Sequence, residues 1–155
     1  MKINDLLLIA SLRKNARETL TNMSKRVGMP VSTIFDKLKV FKGNEIKKHT
    51  SLIDFSKLGF GTRAVMILKA RKNEREKLKG FLEKSHHINS ISRINNGYDF
   101  IVDVIFKNLK ELEEFGEKLE EKYKIKSKQN FYIIEDIKRE DFLSDPEHVK
   151  LLENS

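Results

Sequence analysis

The sequence predicts an α+β chain in two parts: an N-terminal winged helix-turn-helix and a C-terminal ferredoxin-like βαββαβ domain. Three observations carry this. The stretch Thr19–Phe41 (TLTNMSKRVGMPVSTIFDKLKVF) holds two short amphipathic segments broken by Gly-Met-Pro. After residue 61 the pattern runs strand-helix-strand-strand-helix-strand, the order of a split βαβ pair. Charge is unevenly placed: residues 1–60 hold 12 Lys and Arg against 5 Asp and Glu, a balance of +7, whereas 61–155 hold 19 against 18, a balance of +1.

Asn4 is the expected cap of a first helix over about Asp5 to Lys14, with Leu6, Ile9 and Leu12 inward and Leu8 beside them. Asn15-Ala16-Arg17-Glu18 leads into the helix-turn-helix. Thr19 is a good N-cap, because its hydroxyl can accept from one of the free N–H groups of a helix start. Leu20, Met23 and Val27 then share one helical face. Gly28 suits the left-handed backbone of a helix C-terminus, and Pro30 has the fixed φ that begins a new helix. That helix runs over Val31 to Phe41, with Ile34, Leu38 and Phe41 inward.

The opposite face carries Ser32, Thr33, Asp36, Lys39 and Val40, with Lys37 on its flank. Hydroxyls and lysines in this arrangement suit a major groove and its phosphates. A plain helical hairpin with a solvated outer face has the same pattern. The charge asymmetry favours DNA, since a merely lysine-rich composition would spread its excess over both parts. Ile46–Asp54 (IKKHTSLID) is expected as a short strand or wing that sets Lys47 and Lys48 beside the recognition helix. Phe55–Gly61, with two glycines, is the expected linker.

In the second part, Thr62–Ala70 is a strand and Asn73–Lys84 a helix with Leu78, Phe81 and Leu82 inward. Ile88–Ile94 is a strand whose isoleucine spacing of three suggests a bend. Asn95-Asn96-Gly97 is a turn by composition. Tyr98–Phe106 has the strongest strand pattern in the chain, and Leu109–Tyr123 is a helix with Leu109, Leu112, Phe115 and Leu119 on one stripe. Ser127–Ile137 is the last strand. The helices would cover one face of a four-stranded sheet, and an apolar uncovered face predicts self-association. The expected boundaries are residues 1–54, a linker at 55–61, a second domain at 62–138 and an extension at 139–155. A short helix after Asp145-Pro146 would include Val149, Leu151 and Leu152.

Composition narrows the function classes. Cysteine is absent, which excludes disulfides and thiolate metal sites. No apolar run is long enough to span a membrane, and Leu6–Ala10 is too short for a secretory signal, so a cytoplasmic protein is expected. His86-His87 is a poor chelate, because adjacent side chains on extended backbone point apart. The acidic pairs lie among lysines as solvated faces. No phosphate-cradling glycine loop or nucleophile triad is present, so neither enzyme activity, cofactor nor metal is expected.

Four stretches together resemble one family. They are LRKNARET before the second helix, MSKRVGMPVSTIFDKLK, EIKKHTSLIDFSKLGF and NNGYDFIVDVIFKNLKELEEF. The chain, over about residues 3 to 138, resembles the Lrp/AsnC (feast/famine) transcriptional regulators. The resemblance implies duplex DNA as partner, read by a dimer through Ser32, Thr33, Asp36, Lys37 and Lys39, with Lys47 and Lys48 on phosphates. It also implies a second domain that pairs sheets into dimers, tetramers or octamers. A small effector, often an amino acid, would sit near Gly97, Tyr98 and Asp99. Gly97 lets backbone approach a ligand, Tyr98 supplies an aromatic wall, and Asp99 can accept from an α-ammonium group. A tight hairpin with a packed Tyr98 and a turn-capping Asp99 explains the same residues without a ligand. Asp36 stands where many relatives carry a basic residue; its carboxylate could accept from a cytosine amino group, or weaken binding by repelling phosphates. Two other functions fit the architecture: a DNA-architectural protein without effector, and a subunit of the sirohaem decarboxylase kind.

Overall fold

The computed structural model describes residues 2–152; the side chains of Lys150 and Leu152 and residues 153–155 of the expected extension lie outside the described residues. Backbone contacts divide the chain into two units. One comprises residues 1–52 with 137–155, and the other residues 53–136.

The first unit holds α1 (Ile3–Lys14), α2 (Leu20–Val27), α3 (Val31–Phe41) and α6 (Pro146–Leu152). Thr19 caps α2 by accepting from the Asn22 amide at 3.2 Å. Gly28 ends α2 at φ 71°, a left-handed backbone that costs glycine nothing and other residues a steric clash. Pro30 precedes α3 directly. Leu8, Met23, Ile34 and Phe41 form the core, with Ile9, Leu12, Leu20, Val27, Met29, Leu38 and Ile46 packed around them.

Three expectations need correction here. Helix α1 begins at Ile3 after Lys2, without a side-chain cap, and Asn4 lies inside it. Of the residues expected inward, Leu8 is fully buried and Ile9 and Leu12 pack partly buried on the core, while Ala10 and Ser11, not expected there, are buried as well. The reason is that α1 packs on two sides, against α2 and against α6. Ser11 tolerates full burial because its hydroxyl donates to the Leu7 carbonyl at 2.8 Å and accepts from Arg26 at 3.2 Å. The strand expected over residues 46–54 is absent among the described residues. A single bridge joins Lys42 to Ile46, and residues 47–54 are irregular and exposed. With no neighbouring strand to pair and no face to bury, alternation alone does not make a strand.

The second unit holds β1 (Thr62–Ala70), α4 (Arg75–Lys84), β2 (Ile88–Arg93), β3 (Phe100–Phe106), α5 (Leu109–Tyr123) and β4 (Ile125–Tyr132). All pairings are antiparallel, in the order β2-β3-β1-β4. Alternate residues of β1 and β3 (Ala64, Met66, Leu68, Phe100, Val102, Val104, Phe106) meet Leu78, Leu82, Leu112, Phe115 and Leu119 from the helices. The bend expected in β2 is a shift of register between Ile88 and Ser90. Asn108 and Glu111 cap α5 reciprocally, the Asn108 oxygen accepting from the Glu111 amide at 3.0 Å. Leu109, expected inward, is more than half exposed, because it stands at the first turn, ahead of the packed stripe.

The last strand also differs from expectation. It starts two residues earlier and stops at Tyr132, five residues short of Ile137. The Ile133 amide makes one further ladder bond, to the Arg63 carbonyl at 2.9 Å, and Ile134 and Ile137 are almost wholly exposed. Antiparallel pairing ends there because β1, its partner, begins at Thr62. No described helix is long and apolar enough to cross a membrane.

Candidate functional site

Helix α3 turns Ile34 and Phe41 into the core, and this fixes which side chains point out. Ser32, Thr33, Asp36, Lys39 and Val40 are all exposed. None of their side chains makes a recorded hydrogen bond or ion pair within the described residues. Lys37 differs from this group. It is half-buried and its Nζ lies 2.6 Å from Asp5 Oδ1, so the lysine is committed to α1. Lys37, expected at the groove, thus makes an internal ion pair in this structure. The sequence pattern had placed Lys37 on the flank, and the partner on α1 decides its direction.

Lys47 and Lys48 are exposed on the irregular segment after α3. Lys47 Nζ donates to the Gly43 carbonyl at 3.3 Å, while Lys48 has no recorded partner among the described residues. Two residues that the helical wheel did not single out also stand on α3: Phe35 is 58 % exposed and Val31 is 42 % exposed. The signal for Phe35 was available. It lies one residue, about 100°, off the Ile34–Leu38–Phe41 stripe.

The remaining cations of this unit divide into two sets. Arg13 donates to the Glu140 carbonyl and carboxylate at 2.9 and 3.2 Å, Lys14 pairs with Asp145 at 3.5 Å, and Arg26 reaches Glu18 at 3.1 Å. Lys25, Lys39, Lys42 and Lys48 have no recorded partner among the described residues. The hydrogen bond from Asn22, with Arg26 adding, holds the Glu18 carboxyl below its ordinary range. The Glu147 amide, with Lys14 adding, does the same for Asp145.

In the second unit the turn before β3 is a two-residue hairpin. Asn96 and Gly97 both have left-handed backbone, at φ 59° and 83°, the geometry that Asn-Gly favours. Tyr98 is half-buried and its hydroxyl accepts from Gln129 at 3.0 Å. Asp99 is 5 % exposed. Its Oδ2 accepts from the Ala70 amide at 2.9 Å, and its Oδ1 lies 2.6 Å from Arg75 Nε. Arg75 Nε is itself buried and not aimed along a hydrogen bond, so the contact is an ion pair rather than a linear bond. The expected role of Asp99 as acceptor for an α-ammonium group meets a carboxylate that is already engaged on both oxygens. Burial is the cause: a carboxylate this far from water needs internal partners.

Beside this pair lies an open cavity of about 220 Å³ lined by Arg75, Glu76, Lys79, Glu83, Ile91, Arg93 and Phe100. Both signs of charge border it. On the sheet face away from the helices, Val65, Ile67, Ile101 and Phe131 form an apolar patch. Arg63 crosses its rim, bidentate to Asp103 at 2.8 and 3.0 Å and held by Asp136 at 2.8 Å. The Asp103 hydrogen bonds raise the Arg63 pKa further above its ordinary value. His87 is absorbed by packing, stacked on Phe106 at 4.2 Å.

Comparison with known proteins agrees with this geometry. No protein-family model matches the chain. The HTH-type transcriptional regulator FL11 of Pyrococcus horikoshii is 29% identical over 112 residues, covering 72% of this chain and 74% of that protein. The transcriptional regulator AzlB of Bacillus subtilis is 24% identical over 115 residues, 72% of this chain and 73% of its own length. Among solved structures, a transcriptional regulator from Neisseria meningitidis in complex with L-Met superposes with a TM-score of 0.81 at 18% identity, over 90% of this chain and 93% of that one. LrpC of B. subtilis gives 0.78 at 18% identity, over 89% and 96%. These relatives and neighbours are regulators, not enzymes. The chain is thus similar in sequence to helix-turn-helix transcriptional regulators, and its fold is that of solved Lrp/AsnC-type regulators.

Proposed function

We propose that this regulator works in the cytoplasm and binds duplex DNA sequence-specifically, as a dimer or larger assembly, through the outer face of α3. The observation that carries the reading is the set Ser32, Thr33, Asp36 and Lys39: exposed, without recorded internal partners, on a helix held from behind by Ile34 and Phe41. An 11-residue helix is about 16 Å long, and the major groove is about 12 Å wide, so most of this face can lie within it. Lys47 and Lys48, on the exposed irregular segment that follows α3, are assigned to phosphates. The uncovered sheet face, with Phe131 half exposed among Val65, Ile67 and Ile101, supports pairing of two copies.

We assign the effector to the region of the hairpin. Gly97 and Tyr98 border it, and Asp99 acts by fixing Arg75 at the neighbouring cavity. Arg93 there has no recorded partner among the described residues, and Glu76 stands opposite in charge. A zwitterion of amino-acid size fits such a lining, and the Neisseria neighbour was solved with L-Met. Titrating the purified protein with each of the twenty amino acids by calorimetry tests this. Heat from one or a few of them, lost in Arg93→Ala, is expected. No heat from any of them refutes the amino-acid effector while leaving DNA binding standing.

A further inference from the structure

We propose that Phe35 is a base-reading residue: its phenyl ring contacts the 5-methyl groups of thymines in the major groove. This rests on the reading of α3 as the recognition helix and adds to it the chemistry of one position.

Phe35 has no place in the core of its unit. It is 58 % exposed at the centre of α3, while the core positions beside it, Ile34 and Phe41, are closed to solvent. Val31, one turn earlier on the same side, is 42 % exposed. An i, i+4 pair on a helix stands about 6 Å apart, so the two make a short apolar strip rather than an isolated side chain. Polar groups surround the strip: Ser32, Thr33, Asp36 and Lys39.

Charge decides the occupant. Residues 1–52 with 137–155 carry 14 Lys and Arg against 9 Asp and Glu, a balance of +5, and Lys25, Lys39 and Lys42 lie on α2 and α3 or at their ends without recorded partners among the described residues. A polyanion therefore fits this unit. Its phosphates cannot sit on the middle of α3, because Phe35 offers them no hydrogen bond and Asp36 repels them. The middle of the helix must then meet base edges, with the lysines on the backbone to either side. In the major groove the apolar feature of a base edge is the thymine methyl, and phenylalanine is a side chain suited to it. Asp36 next to it can accept only from an amino group such as that of cytosine.

The test uses the full-length protein and a duplex selected by it from a random library. Each thymine of the selected site is replaced in turn by deoxyuridine, which removes the methyl group and nothing else. Wild-type protein is expected to lose roughly three- to fivefold in affinity at one or two positions per half-site, the worth of one buried methyl. Phe35→Ala is expected to bind thymine and deoxyuridine alike at those positions, with its helical circular dichroism unchanged. Phe35→Leu, which keeps an apolar side chain, is expected to retain part of the discrimination. Equal binding of both duplexes by wild-type protein overturns the proposal, and so does discrimination that survives in Phe35→Ala. Loss of self-association in Phe35→Ala with an unchanged ratio assigns the ring to protein contact instead. If no duplex is retained by wild-type protein at all, the recognition-helix reading itself falls.

Discussion

The two units of this chain differ in which charged and apolar side chains they leave unmet. In the helical unit a small apolar core lies behind exposed Val31, Phe35 and Val40, and cations such as Lys25, Lys39, Lys42 and Lys48 stand without recorded partners among the described residues. In the sheet unit the cations that matter structurally are matched: Arg63 with Asp103 and Asp136, Arg75 with Asp99, and Lys128 with Glu120. There the sheet face around Phe131 leaves apolar surface exposed, and Arg93 stands without a recorded partner among the described residues. Unmatched positive charge suits a polyanion, and unmatched apolar area suits another protein surface. On the proposed function, these two kinds of unmet surface divide DNA binding and assembly between the parts.

The largest effect that would break this division is loss of the helical core. Leu8 is fully buried among Met23, Ile34 and Phe41. Leu8→Ala is expected to destabilise that unit by about 2–5 kcal/mol. Hydrogen exchange should show protection lost across α1–α3, with DNA binding lost alongside. Unchanged protection there would mean that the core does not hold α3 in place.

Next in size is the tail. Helix α6 packs on α1 with Val149 fully buried, and the segment before it adds the Arg13–Glu140 and Lys14–Asp145 pairs. Both pairs are largely solvent-accessible and contribute little by themselves. Val149→Ala is therefore expected to account for most of the tail's effect, about 1–3 kcal/mol in thermal or urea unfolding. A double Glu140→Gln, Asp145→Asn variant should stay close to wild type in the same assay.

Two lysines two residues apart sharpen the comparison further. Lys39→Ala is expected to weaken binding to all duplexes and to reduce the slope of log K against log salt by about one. Lys37→Ala should leave that slope alone and lower stability by about 1 kcal/mol or less, since its charge faces Asp5. Equal salt slopes for both variants would place Lys37 in the interface after all.

The smallest expected effect is on acid stability. Glu18 and Asp145 have depressed folded-state pKa values, through Asn22 with Arg26 and through the Glu147 amide with Lys14. A depressed carboxylate contributes stability above its ordinary pKa of about 4, and that contribution is lost as pH falls through the lower folded value. Helical circular dichroism followed from pH 6 downward should show the loss. Glu18→Gln should flatten the profile, and a profile identical to wild type would show that Glu18 does not anchor α2.

Much of this was legible in the residues. Thr19, Gly28 and Pro30 act locally, through caps and backbone preference, and the sequence determines such effects directly. The strand and helix order of the second unit was legible for a similar reason, since alternation and capping mark its elements, as Asn108 does for α5. What escaped depends on partners distant in sequence. Lys37 faces Asp5 across 32 positions, and Asp99 meets Ala70 and Arg75 on other elements. The wing strand failed because nothing pairs with it, and β4 ended early because its neighbour begins at Thr62. The tail helix was foreseen, but not that it would make α1 two-sided. Phe35 was missed because an exposed aromatic resembles a core residue when only composition is considered.

The most direct test of the account is selection by the purified full-length protein from a random duplex library at moderate salt. The account predicts an enriched pseudo-palindromic site, bound less tightly as salt rises and lost when Lys39 and Thr33 are both replaced by alanine. Retention of no duplex, or binding that the double variant leaves unchanged, would contradict it.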